Sequence, residues 1–101
     1  MSYKRGTDVL IEATFSDKDG NLYNPDTGTA KLFCKLSTTG VYLTGYDRAT
    51  GGAAMTLITT GVYQKDIQFL LTDTAGQYEV EVEGFVGTKR SLDSLKIAVR
   101  A

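Results

Sequence analysis

The chain has 101 residues, 42% of them hydrophobic and 23% charged, with a formal net charge of −1. That length suits one domain, and the composition excludes a disordered or fibrous chain. The near-neutral balance leaves no basic excess for nucleic acid, and no lysine-rich amphipathic helix or long apolar run is present for a membrane.

The opening segment, Met1 to Asp8, carries basic residues with no apolar stretch behind them. The expectation is a chain made in a cytoplasm without a signal peptide. A strand pattern begins at once. Over residues 8–16, Val9, Ile11, Ala13 and Phe15 fall on one face and Leu10, Glu12, Thr14 and Ser16 on the other. This is the period of a half-buried strand. Asp17-Lys18-Asp19-Gly20-Asn21 then reverses the chain, since Asp, Asn and Gly favour turns. Asn24-Pro25-Asp26-Thr27-Gly28 breaks the pattern again.

Residues 29–37 alternate, with Ala30, Leu32, Cys34 and Leu36 on one side and Lys31, Phe33 and Lys35 on the other. Cys34 therefore reads as a small buried apolar group rather than a reactive thiol. Residues 38–61 carry the weakest signal: short strands at Val41–Thr44 and Met55–Thr59, with a flexible tip over Arg48–Ala53. In residues 62–71 Tyr63, Ile67 and Phe69 share a parity, and Thr72–Gly76 turns the chain. Residues 77–83 give the clearest strand, with Tyr78, Val80 and Val82 in and Gln77, Glu79, Glu81 and Glu83 out. The last strand, 94–100, places Leu95, Ile97 and Val99 in. A turn at Gly87-Thr88 sets Val80 across from Leu95, Tyr78 from Ile97 and Glu79 from Lys96, which keeps every inward residue inward. Six or seven short strands at intervals of roughly ten residues predict an all-β sandwich.

The chemistry-bearing residues are sparse. Histidine is absent and Cys34 is the only cysteine, so the commonest neutral-pH base, the commonest zinc ligand and an internal disulfide are all missing. Asp17–Asn21 lacks the closing glutamate and flanking helices of a calcium loop and reads as a plain turn. Glu79, Glu81 and Glu83 read as a solvated stripe rather than a paired-carboxylate catalytic site. No catalytic residue, metal site or cofactor site is expected, and the chain is expected not to be an enzyme. The signal that remains is apolar groups at outward positions: Leu10, Phe33, Leu92 and the pair Phe85-Val86 in a turn. With Tyr42 and Tyr46 in the weakly patterned segment 38–61, they form the candidate interface.

At Thr74-Ala75-Gly76-Gln77-Tyr78-Glu79-Val80 the sequence resembles the tyrosine corner of immunoglobulin-like sandwiches. Tyr78 matches the structural tyrosine, and Val80 stands where disulfide-bonded members carry their second cysteine. A wider resemblance runs through Arg5-Gly6-Thr7-Asp8, Ala13–Asn21, Pro25-Asp26, Thr60–Tyr63 and Ala75–Tyr78. It is similar to the small immunoglobulin-like structural proteins of tailed bacteriophages, including N-terminal modules of baseplate upper proteins. The resemblance implies an immunoglobulin-like antiparallel β-sandwich of about seven strands without a disulfide, one domain over residues 1–101. It also implies a virion protein: a capsid decoration, head–tail neck or tail/baseplate accessory component. Such a protein would dock, in several copies, onto capsid, connector or tail proteins, with no nucleic-acid or membrane partner. The alternative is a carbohydrate-binding or adhesive module using Tyr42 and Tyr46.

Overall fold

The computed structural model describes residues 2–101. Among these residues eight strands form two sheets, and there is no disulfide. In chain order they are β1 (Ser2–Lys4), β2 (Asp8–Thr14), β3 (Lys31–Leu36), β4 (Ala53–Ala54), β5 (Thr56–Thr59), β6 (Val62–Gln68), β7 (Gly76–Val86) and β8 (Lys89–Arg100). One sheet has the order β2-β6-β5, the other β1-β8-β7-β3-β4. Every pairing is antiparallel except β1 with β8.

The alternating pattern of β2 places Val9, Ile11 and Ala13 in the core and leaves Asp8, Leu10, Glu12 and Thr14 outside. Its partner β6 aligns Val9 with Ile67 and Ala13 with Tyr63, so both strands turn one apolar face inward. In the other sheet β7 and β8 form a long hairpin closed by Gly87 and Thr88, with Gly87 at φ +60°. The register is the one expected from sequence: Val80 opposite Leu95, Tyr78 opposite Ile97, Glu79 opposite Lys96. Both arms run further than predicted, to Val86 and from Lys89. Phe85 and Val86 therefore lie on β7 and not in a turn.

The extension has a physical cause in the segment between β2 and β3. The Asp26 carboxylate accepts a hydrogen bond from the Gly87 N–H at 2.7 Å, and the Asp26 N–H donates to the Phe85 carbonyl, also at 2.7 Å. The Thr29 hydroxyl accepts from the Phe85 N–H at 3.1 Å. These contacts tether the hairpin tip and keep its last residues paired.

Leu32, Cys34, Ile67, Phe69, Tyr78 and Val80 are the largest fully buried side chains. Full burial of such groups contributes about 1.5–3 kcal/mol each relative to exposure. Phe69 meets Tyr78 edge to face at 5.1 Å, and Phe15 meets Tyr63 at 5.5 Å.

Three expectations need correction. The strands number eight rather than about seven: β1 and β4 are additional, while 41–44 forms only a single bridge from Tyr42 to Lys35. In that segment Leu43 donates to the Cys34 carbonyl and Cys34 donates to the Tyr46 carbonyl, so the chain follows β3 as a tight wrap rather than a ladder. The expected loose tip over Arg48–Ala53 is instead a 3-10 turn at Arg48–Thr50, followed by Gly51 and Gly52 and then β4 from Ala53. Leu95 lies on the inward parity yet is 40% exposed, because β2 ends its sheet before covering that part of β8.

Candidate docking surfaces

Leu10 is 57% exposed on the outer face of β2, Leu92 46% on β8, and Val86 46% at the hairpin tip. The structure leaves these three on different elements rather than gathering them. Phe85 is half-buried.

Phe33 is the clear departure. It points outward from β3, opposite Glu81, yet is only 3% exposed. The Arg48 guanidinium lies 3.9 Å from the centre of its ring. Gly52 passes so close that a Cβ there would fall 2.5 Å from the ring. Alternation predicts which way a side chain points but not what the chain later lays over it.

The same wrap changes the acidic stripe on β7. Arg48 makes ion pairs with Glu81 at 3.3 Å and Glu83 at 3.4 Å, Arg90 also pairs with Glu83, and Lys35 lies 3.8 Å from Glu79. Glu83 is 8% exposed. The stripe is thus a neutralised ladder over the sheet rather than a solvated one: Glu79 and Glu81 are half-buried and Glu83 buried, each beside a cation.

Tyr46 packs its ring against the core and donates its hydroxyl to the Asp66 carbonyl at 3.0 Å. The segment between β3 and β4 is therefore fixed to both sheets, through Tyr46 on β6 and Arg48 on β7. Tyr42 is half-buried, with the Lys35 ammonium 5.7 Å from its ring centre. Tyr46 is likewise half-buried, with its hydroxyl committed to β6.

Tyr78 is 2% exposed and donates its hydroxyl to the Thr74 carbonyl at 2.6 Å. Burial pushes its hydroxyl pKa up, with Asp73 adding to the effect. Burial likewise pushes the Cys34 thiol up to about 12. A thiol of that kind stays protonated and inert at neutral pH.

Other exposed apolar residues lie outside the sequence-derived set. Leu70 is 50%, Leu71 74% and Val41 65% exposed. Val41, Tyr42, Leu43 and Leu36 line a groove of about 400 Å³ with Thr72, Asp73 and Thr74, which follow the two leucines directly. The adjacent pair Leu70-Leu71 carried a readable signal, because neighbouring residues on a strand cannot both face inward. The 17–21 turn is a local device: Asp17 accepts N–H bonds from Asp19 and Asn21, both at 2.9 Å.

Comparison with protein-family models, with curated proteins and with solved structures returns no match for this chain.

Proposed function

We propose that the chain is an immunoglobulin-like domain that serves as a non-enzymatic docking component of a tailed-phage particle, in capsid, neck or tail. The fold part of this reading draws on strand order. A three-stranded β2-β6-β5 sheet and a β1-β8-β7-β3-β4 sheet, with the first strand parallel to the last, are compatible with an immunoglobulin-like arrangement and support this reading. The tyrosine on β7 bonded back to the corner before it is consistent with the same family.

The observation that carries the docking part is the apolar end of the molecule. Val41, Leu70 and Leu71 are each at least half exposed. Val41 lines a groove whose only charged lining residue among the described residues is Asp73, and the two leucines immediately precede Thr72, which lines it too. Asp73 turns its carboxylate onto the Leu70 N–H at 2.6 Å. Apolar side chains held on ordered loops, with little charge between them, are suited to burial against a partner protein. The placement in a virion rests on the sequence resemblance, and repeated copies would add their weak contacts through avidity.

The test is the mass of the chain in solution by light scattering, then its stoichiometry in purified particles by mass spectrometry. A monomer in solution that is present in particles at a fixed copy number supports the proposal. Absence from particles overturns the virion assignment. Leu71→Ser, which leaves the core untouched, is expected to lower the copy number if the apolar end is the docking surface.

A further inference from the structure

β2 is the outermost strand of its sheet, and among the described residues no strand lies beside its second edge. The facing sheet extends past that edge. There Leu95, which pairs with the fully buried Val80, is 40% exposed, and Val82 is only half-buried. Between the two lies a cleft of about 130 Å³, lined by Glu12, Thr14 and Phe15 on one side and Val82, Asp93 and Leu95 on the other. The inward face of one sheet thus continues where its cover stops.

We propose that this seam receives one extended strand of a partner protein, rich in alternating apolar residues and lysine or arginine. The inference rests on the docking reading above and names a second surface with its mode of recognition. A strand added to the free edge of β2 would lie about 4.8 Å from it and about 10 Å above β8. Its inward side chains would cover Leu95 and Val82. Its outward side chains would flank Leu10 and Glu12. Backbone hydrogen bonds would supply affinity and the alternate side chains specificity.

Charge selects the occupant. The cleft holds two carboxylates, Glu12 and Asp93, and no cation. Glu12 accepts a bond from the Gln64 amide at 2.9 Å, and Asp93 accepts one from the Ser94 N–H at 2.8 Å. Among the described residues neither forms a salt bridge. Asp8 adds a third acid to the outer face of β2. A second copy of this chain fits poorly. Antiparallel pairing of two β2 strands about Leu10 sets Asp8 of each against Glu12 of the other, and directly opposed like charges destabilise a ladder. A basic strand meets the opposite situation.

The probes are two synthetic heptapeptides, one alternating valine with lysine and one alternating valine with glutamate. Each is titrated into the isotope-labelled full chain at about 0.15 M salt, followed by amide chemical shifts. The valine–lysine peptide is expected to move the amides of Glu12–Thr14 and Ser94–Leu95 and to leave those of Glu79–Glu81 unmoved. E12K is expected to weaken that peptide about three-fold or more and to strengthen the valine–glutamate one. Leu95→Ser, a change at a part-exposed position, is expected to weaken the first peptide without altering charge preference. No shift at the seam, equal response to both peptides, shifts centred on Glu79, or self-association through β2 each overturns the proposal. A chain found in particles that ignores both peptides refutes the seam alone. A chain absent from particles that binds as described refutes the virion assignment alone.

Discussion

Tyr78→Phe tests the corner that joins β6 to β7. The substitution keeps the ring, which is 2% exposed and packed edge-on against Phe69, and removes only the hydroxyl bonded to Thr74 at 2.6 Å. A net intramolecular hydrogen bond is worth about 0.5–1.5 kcal/mol, and a buried acceptor left unpaired costs more. Thr74 is exposed, so its carbonyl turns to water once the hydroxyl is gone. The expected loss is therefore about 1 kcal/mol, without a further desolvation penalty. For a urea m-value of about 1–1.5 kcal/mol/M, the midpoint falls by roughly 0.7–1 M. The thermal midpoint falls by about 4–6 °C for a domain of this size. Equilibrium urea unfolding, followed by tyrosine fluorescence and circular dichroism, reads the change at constant m. A midpoint that moves by less than about 0.2 M would show that the hydroxyl does not stabilise the corner, and the assignment of Tyr78 as its fastener would fall.

Arg48→Ala removes the cover of Phe33 and the ion pairs to Glu81 and Glu83, while Glu83 keeps Arg90. The expected cost is about 1–2 kcal/mol, reduced by added salt, and Arg48→Lys restores less than half because an ammonium does not stack as a planar guanidinium does. Unchanged urea stability would refute the covering role. Cys34, with its thiol pushed up to about 12, is expected to stay unmodified by an aromatic disulfide reagent in the native chain and to react once the chain unfolds; rapid native-state labelling contradicts the burial. The N–H groups, first that of Asn21, hold the Asp17 carboxyl below the usual carboxylate range. Its contribution is then full above the unfolded pKa and fades as pH falls through the folded one. Asp17→Ala should therefore be less stable than the parent at neutral pH, with the gap narrowing toward about pH 3. A gap independent of pH would assign the loss to something other than the carboxylate.

Much of the fold is legible because period-two alternation and turn residues are local signals. Val9, Ile11 and Ala13 go inward as their spacing demands, and the β7–β8 register follows once Gly87 is taken as the turn. What alternation cannot convey is coverage. Phe33 and Leu95 have the directions their positions require, and both have the opposite burial from that expected. Phe33 is covered by Arg48, fifteen residues downstream, and Leu95 is left open by the end of a different sheet. The lengths of β7 and β8 are hidden for a similar reason: the tether is Asp26 and Thr29, far away in sequence. Candidate surface residues inherit the same difficulty. Leu10, Val86 and Leu92 are exposed as expected, whereas the exposed leucines at 70 and 71 escape a reading that treats them as the tail of a strand.

The parallel pairing of β1 with β8 bears on the order in which the fold assembles. The β7–β8 hairpin joins residues close in sequence and can zip from Gly87 outward on its own. Tyr3 beside Val99 closes nearly the whole chain into one loop, which cannot be rewarded until β8 is already in place. The strand is three residues long, and the segment is also held by Tyr3 packed against the core, by the Arg5 N–H on the Arg100 carbonyl and by the Arg5 guanidinium on the Asp73 carbonyl at 3.2 Å. A short edge strand that docks last is expected to be the first to open. Amide exchange in β1 should accordingly proceed by local opening, orders of magnitude faster than in β6 or β7.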